Sequence, residues 1–254
     1  MIMDREWMAA RPTRLHSMDH HWRDLLFMHW IVSAEVIQAM LPDGLTVDTF
    51  DGNAYVGLVP FRISRINARS CPPVPGFCQF PEINVRTYVH REGCDPGVWF
   101  FSLDAANVFA CIGARISYHL PYFYAEMSQS ALTGGTGTIT KFSSKRYYPR
   151  PIPAYANIEY IVGDEQPAVS KVGTLEHFLI ERYLLYSFAR NKINVGQVYH
   201  TPYSIQPAEL VKLDENLVRA AGIVRPDAAP LIHFSRGVDV NVYPLQPVVA
   251  GVVN

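Results

Sequence analysis

The sequence has no lysine among its first 140 residues. All five lysines lie at position 141 or later, whereas seventeen arginines are spread along the chain. A Schiff base forms only on a primary amine, and that amine must be made nucleophilic by a lowered pKa. The absence therefore excludes imine chemistry from the first 140 residues.

The chain also lacks a large net charge and a long apolar run. A formal charge of −1 over 254 residues gives no field that would hold nucleic acid or an anionic membrane. Apolar runs such as residues 25–32 are interrupted by His29 and are too short to span a bilayer. The N-terminus shows no apolar signal segment. We expect a cytoplasmic protein with no nucleic-acid or membrane partner.

Metal-binding and disulfide motifs are missing as well. Cys71, Cys78, Cys94 and Cys111 include no C-x-x-C pair, which favours free thiols. His119, His200 and His233 are far apart in sequence. Neither a metal site nor a cofactor is predicted.

Short β-rich runs between turn residues dominate what is present. Residues 45–63 are predicted to form a hairpin around Asp51-Gly52. Residues 83–91 alternate β-branched with polar or aromatic side chains and are expected to pair with residues 98–103. Further strands are predicted at residues 138–148, 156–162, 194–200 and 231–243.

Few helices are expected. Ser33 is predicted to cap one through residue 40, residues 105–113 to form one or two turns, and Thr174 to cap a helix over residues 175–190. Pro207 is predicted to open a last helix that ends at Gly222. The pattern predicts one mainly β domain over residues 1–254, a closed or nearly closed antiparallel β-structure with a few covering helices. A large barrel of this kind leaves a ligand cavity. Residues 1–17 are interpreted as a flexible extension.

Six stretches carry a resemblance to a known family. They are PEINVRTYV, GVWFFSLDA, ARISYHLPY, GTLEHFLIERYLLY, VYHTPYSIQPAEL and HFSRGVDV. The chain resembles the YqjF-like family of uncharacterised bacterial proteins over roughly residues 18–243, and that family is similar in fold to acetoacetate decarboxylase. The resemblance implies an acetoacetate-decarboxylase-like β-cone with a central cavity.

The resemblance also bears on whether this chain can form a Schiff base. Acetoacetate decarboxylases carry Arg-Glu, then glycine, an aromatic residue and Pro-Lys, and that lysine forms the Schiff base. Here Arg115 and Pro121 stand at a matching separation, but Tyr122 follows the proline. A phenol cannot form an imine. Lys141 is the alternative amine within a strand, and its simpler interpretation is an exposed strand lysine.

Glu82, Arg86 and Tyr88 have even spacing on one predicted strand and are expected to share a face. Arg86 is a candidate for binding a substrate carboxylate, because its guanidinium fork matches two oxygens. Glu82 is a candidate base or the ion-pair partner of Arg86, and Tyr88 a further ligand-binding residue. A buried structural pair is the alternative for this face.

Arg115, Ser117 and His119 likewise share a face if residues 114–120 form a strand. Arg115 is a candidate ligand-binding residue, or one half of a buried salt bridge with Glu82 or Asp104. His119 and Tyr122 are candidate proton carriers, and a simple hydrogen-bonded histidine is the alternative for His119.

The sequence therefore supports two hypotheses. The first is an enzyme or enzyme-like protein acting on a small organic acid or carbonyl metabolite, with Arg86 or Arg115 holding the anion. The second is a non-catalytic binding or sensor protein of the same fold. The sequence does not decide whether the chain is catalytic, and a homodimer is compatible with it.

Overall fold

The computed structural model describes residues 7–69, 79–134, 137–149 and 153–248. These residues form fourteen β-strands, four short α-helices and one turn of 3-10 helix (Trp7–Ala9). In chain order the elements are β1 (Met18–Val32), α1 (Ala34–Gln38), β2 (Thr46–Val47), β3 (Ala54–Ala68), β4 (Phe80–Arg91), β5 (Cys94–Ala105), α2 (Val108–Ser117), β6 (Tyr122–Gly134), β7 (Gly137–Tyr148), β8 (Tyr155–Val162), β9 (Ala168–Val169), α3 (Leu175–Ile180), β10 (Leu184–Ala189), β11 (Lys192–Tyr199), β12 (Ser204–Glu215), α4 (Leu217–Ala220), β13 (Leu231–Val242) and β14 (Gln246–Pro247).

All fourteen strands belong to one sheet that closes on itself twice. The strands β13, β1, β3, β4 and β5 are shared by two rings. The first ring is completed by β10 and β11, which pair with β5 and β13. The second ring is completed by β6, β7, β8 and β12. The predicted mainly β fold with a few helices is confirmed.

The shared strands are buried on both faces, because the interior of one ring lies on each side of them. Successive side chains on a strand point to opposite sides, so they enter the two interiors in turn. On β1, Leu25 and Phe27 pack in the core of the first ring, whereas Leu26 and Met28 pack in the core of the second. β3 and β4 alternate in the same way. Each shared strand therefore presents a separate set of side chains to each ring.

Two helices lie near opposite ends of β4, on the side of the first ring. α2 begins at Asn107, whose side-chain oxygen accepts a hydrogen bond from the backbone N–H of Ala110 at 3.0 Å. α3 begins at Thr174 and buries Phe178, Leu179 and Ile180 in the first ring's core. The predicted caps Ser33 and Thr174 are confirmed.

The strand predictions at 138–148, 156–162, 194–200 and 231–243 are confirmed, as is the β4–β5 hairpin. The hairpin predicted over 45–63 is wrong, because β2 pairs with β4 and the long β3 pairs with β1 and β4. The helix predicted from Pro207 is wrong, since that residue lies within β12, but Gly222 does follow the short α4 with a positive φ. β1 was not predicted at all.

The helix predicted over residues 175–190 is correct only in its first part. α3 ends at Ile180, and β10 begins at Leu184. Between them, the carboxyl group of Glu181 accepts hydrogen bonds from the hydroxyl of Tyr183 at 2.7 Å and the backbone N–H of Tyr203 at 2.8 Å. The apolar run that follows is a strand paired on both edges, with β11 and β5.

Part of the predicted N-terminal extension, residues 1–6, lies outside the described residues. Within the described part, Met8 packs on Tyr183 and Leu184, and the backbone N–H of Ser17 donates to the carbonyl of Val242. Cys71 and Cys78 also lie outside the described residues, while Cys94 and Cys111 are free thiols. None of the described helices has the length and apolar character needed to cross a membrane.

Candidate functional site

A cavity of about 130 Å³ lies inside the first ring. All seven strands of that ring contribute side chains to its wall, and α2 contributes Ala114. The wall is mostly apolar. Polar side chains reach it from β1, β4, β6 and the end of α2, namely His20, Trp22, Glu82, Asn84, Arg86, Tyr118 and Tyr122. An apolar cavity with a few convergent polar groups is the usual form of a small-molecule site.

Glu82 and Tyr122 form a hydrogen-bonded pair on this wall. The Tyr122 hydroxyl donates to the two carboxyl oxygens of Glu82, at 3.3 Å and 3.2 Å. Glu82 is 2% exposed. Burial raises the pKa of Glu82 to about 8, the Tyr122 hydrogen bond opposes the rise, and the charge of Asp104 adds to it. The carboxyl group is therefore mostly protonated at neutral pH.

Tyr122 keeps its proton. Burial raises the pKa of the Tyr122 phenol well above 10, and the neighbouring Glu82 raises it further. Within this pair Glu82 is the group that gains and loses a proton near neutral pH. A group that titrates there suits general acid or base catalysis.

Arg86 lines the same cavity from the same strand. Its Nη2 donates to the backbone carbonyl of Leu179 at 3.1 Å and to the Tyr88 hydroxyl at 3.4 Å, while its Nε is buried without a partner. Among the described residues no carboxylate forms an ion pair with Arg86. A half-buried guanidinium with unused donors is suited to bind an anion.

Tyr88 supports Arg86 and lies behind the cavity wall. Its hydroxyl is 2.6 Å from the carbonyl oxygen of Leu179 and 2.7 Å from Nε2 of His29. Burial lowers the pKa of His29 well below 6.5, so the ring is neutral. Tyr88 therefore donates to Leu179 and accepts from the Nε2–H of His29. The neighbouring strand carries Gly57, where a Cβ would come within 3.3 Å of both His29 and Arg86.

Arg115 and His119 lie outside the cavity. The prediction of a strand over residues 114–120 is wrong, because Arg115 belongs to α2 and His119 follows that helix with a φ of 52°. Both side chains are exposed and border a different, open depression on the surface. Nη1 of Arg115 donates to the backbone carbonyl of Tyr122 at 2.6 Å. The two residues therefore do not join Glu82 on one wall.

The proposed salt-bridge partner of Arg115 has another partner. Asp104 forms a bidentate ion pair with Arg146, with Nε and Nη2 at 2.8 Å and 2.7 Å from its two oxygens. Side-chain exposure is 0% for Asp104 and 5% for Arg146. Glu82 is likewise occupied by Tyr122.

Sequence reasoning missed four polar residues of the wall, namely His20, Trp22, Asn84 and Tyr118. His20 Nε2, Trp22 Nε1 and Asn84 Oδ1 are buried and have no hydrogen-bond partner in the described structure. Burial lowers the pKa of His20 to about 4, so this ring is neutral. The alternation of His20 and Trp22 with His21 and Arg23 was the available signal, because it is typical of a strand with one inward face.

No lysine reaches the cavity wall in the part of the chain that the structure describes. Lys141 lies on β7, is 43% exposed and pairs with Glu159 at 3.3 Å. This placement confirms its interpretation as an exposed strand lysine. Within the described ranges no group of three or more histidine, cysteine, aspartate or glutamate side chains is placed to hold a metal ion.

Comparison with known proteins identifies a matching protein family. The model of DUF2071, described as an uncharacterized conserved protein, matches residues 19–239. The chain is 36% identical over 235 residues to the uncharacterized protein YqjF of Bacillus subtilis (strain 168). That match covers 92% of this chain and 94% of the relative. The resemblance to the YqjF-like family is confirmed.

Comparison with solved structures confirms the acetoacetate-decarboxylase-like fold. An acetoacetate decarboxylase from Legionella pneumophila matches with a TM-score of 0.61 and 13% identity over 95% of this chain and 92% of its own. The enduracididine biosynthesis enzyme MppR complexed with pyruvate matches with a TM-score of 0.61 and 14% identity over 92% and 91%. An acetoacetate decarboxylase-like enzyme from Sphingomonas wittichii RW1 matches with a TM-score of 0.61 and 12% identity over 94% and 98%.

Proposed function

We propose that this chain, which belongs to the DUF2071 family, is an enzyme that binds a small organic acid or carbonyl compound in the cavity and acts on it by proton transfer without an imine. One observation carries the proposal. Glu82, a buried carboxyl group with a pKa of about 8, and Arg86, a cation without a carboxylate partner among the described residues, line the same apolar cavity from one strand. Perturbed ionisable groups of this kind concentrate at functional sites.

The two groups have complementary roles. Arg86 holds the ligand carboxylate through its unused donors, and the apolar wall strengthens that contact by excluding water. Glu82 donates a proton to a ligand oxygen or, once ionised, removes one from a ligand carbon. Tyr122 steadies either state, because its hydroxyl donates to Glu82 in both. A carboxyl group that titrates near the working pH is efficient in both directions.

The solved structures are consistent with this proposal. MppR is found in complex with pyruvate within the same fold, and pyruvate is a small carboxylate. The wall of the present cavity differs from an imine-forming site because it carries no lysine among the described residues. Substrate activation here rests on hydrogen bonds and charge.

A thermal-shift screen of small carboxylic and keto acids tests the binding half of the proposal. We expect an acid that stabilises the wild type to bind roughly tenfold or more weakly to Arg86→Gln, since a charge-assisted hydrogen bond contributes about 1.5–3 kcal/mol. Arg65→Gln is the matched control, because Arg65 is exposed on β3. Equal binding to wild type and Arg86→Gln contradicts the assigned role of Arg86.

Proton exchange tests the catalytic half. Incubation of a bound acid in D₂O is followed by NMR, and loss of a carbon-bound proton signal reports transfer. We expect wild type to exchange and Glu82→Gln not to exchange at equal ligand occupancy. Binding through Arg86 without exchange favours a non-catalytic binding or sensor protein.

A further inference from the structure

The two ionisable groups of the cavity lie at different positions along β4, and this separation bears on ligand length. Glu82 and Arg86 are four residues apart on one strand. At about 3.3 Å per residue their Cα atoms are roughly 13 Å apart. Both side chains still line the same cavity, because even spacing keeps them on one face.

Glu82 and Arg86 are held by different neighbours, at different ends of the cavity. Tyr122 of β6 fixes the carboxyl group of Glu82, whereas the Leu179 carbonyl and the Tyr88 hydroxyl fix the guanidinium of Arg86. The two do not form an ion pair with each other in the described structure. The cavity therefore has two separate polar ends.

The electrostatic neighbours of the two groups differ as well. The charge of Arg86 lowers the pKa values of His29 and His200, whereas Asp104 and Tyr122 act on the pKa of Glu82. Arg86 lies with the histidines near α3. Glu82 lies near α2, where the cavity wall includes Ala114.

The wall between the two ends is largely apolar. Across the β3–β4 pairing, Phe61 stands opposite Glu82 and Val59 opposite Asn84. On the other edge of β4, Leu103 stands opposite Asn84. All of these side chains line the cavity. Among Phe61, Val59, Leu103 and Asn84, which lie between the two polar ends, Asn84 is the residue with a polar side-chain atom.

We infer that the ligand is an elongated acid, with a carboxylate at Arg86, an apolar body along Phe61 and Leu103, and a carbonyl or hydroxyl oxygen at Glu82. The two polar groups of such a ligand are separated by an apolar chain of several methylene groups. A short keto acid, whose carbonyl group adjoins its carboxylate, reaches one end only. This inference rests on the proposed function and specifies the substrate class of the same site.

A ligand series tests the inference. Linear acids of about four to about twelve carbons, each ending in a methyl ketone, are titrated into wild type beside alkanoic acids of equal length. We expect affinity to rise roughly fourfold for each methylene group until the cavity is filled, since each buried methylene contributes about 0.8 kcal/mol. The terminal carbonyl should strengthen binding twofold to tenfold only in the acids long enough to reach Glu82.

Two variants separate the possible failures. Glu82→Met should abolish the advantage of the terminal carbonyl, and Arg86→Gln should weaken every acid in the series. If the shortest acids bind best and still depend on Arg86, the inference of an elongated ligand fails while the proposed function stands. If no acid depends on Arg86, the proposed function itself fails. If Glu82→Met does not fold, the comparison of keto acids with alkanoic acids in wild type still shows whether the terminal carbonyl strengthens the binding of the long acids.

Discussion

Replacing Glu82 by glutamine should stabilise the protein at alkaline pH and have little effect near pH 5. The substitution keeps the shape of the side chain and an oxygen that accepts the Tyr122 hydroxyl. It removes the one property that costs stability, which is ionisation inside an apolar cavity. The effect follows from the pKa of Glu82, which is raised from 4.5 to about 8.

The sign follows from proton counts. Below about pH 4.5 the carboxyl group is protonated in both the folded and the unfolded chain, and above about pH 8 it is ionised in both. Between these values only the folded protein holds the proton, so stability falls as the pH rises. At 1.36 kcal/mol for each pH unit, the full loss is about 5 kcal/mol. Such a loss is a large fraction of the 5–15 kcal/mol that is typical of a folded protein.

Urea unfolding at a series of pH values from 5 to 9 measures the effect. The free energy of unfolding of Glu82→Gln minus that of wild type should rise by several kcal/mol across this range. Burial also lowers the pKa values of His20 and His200, but their contributions are common to both proteins and cancel in the difference. Glu165→Gln, a change in an exposed loop residue, should follow wild type at every pH. Parallel curves for wild type and Glu82→Gln would refute a buried Glu82 with a raised pKa.

Two further predictions concern the ion pair next to the cavity and the absence of an imine. Arg146→Gln leaves the buried Asp104 without its cation and should lower the free energy of unfolding, measured in urea, by about 3–5 kcal/mol. The double variant Asp104→Asn/Arg146→Gln should recover part of this loss. A loss below about 1 kcal/mol in the single variant would contradict this pairing. Borohydride treatment with acetoacetate or pyruvate should add no mass to the protein, since no lysine lines the described cavity wall, and a stable adduct would show that a lysine reaches the ligand.

The sequence predicts β4 well because its residues obey one simple rule. Along the strand, side chains point alternately into the interior of the first ring and that of the second ring. Even spacing alone therefore places Glu82 and Arg86 on a common face. The tight turn to β5 lies at Glu92 and Gly93, both with positive φ. Local pattern and tertiary environment agree along this hairpin, and the prediction is correct for that reason.

The stretch from Arg115 to Leu120 shows the opposite case. Its polar and apolar residues alternate as in a strand, but Cys111, Ala114 and Tyr118 are the positions that face the protein, and their spacing of three and four residues is helical. Ile116 is 69% exposed, so the apolar half of the alternation is not a buried face. Periodicity over so few residues does not separate the two structures.

The cavity itself depends on contacts that no local pattern specifies. The first ring closes through the parallel pairing of Leu185 with Val98 and the antiparallel pairing of Val198 with Val242. These partners are distant in sequence, and β10 was predicted as helix. Family resemblance, and not periodicity, indicated the β-cone, and the solved acetoacetate-decarboxylase-like structures confirm that fold.

The contact between Arg86 and the Leu179 carbonyl has a consequence for the charge balance around this side chain. The cation is met by a peptide oxygen, which carries only part of a negative charge, and not by an acidic side chain. No internal counter-ion has to be displaced when an anion enters. An anion bound at Arg86 would therefore add a full unit of negative charge that the protein itself does not supply at this point.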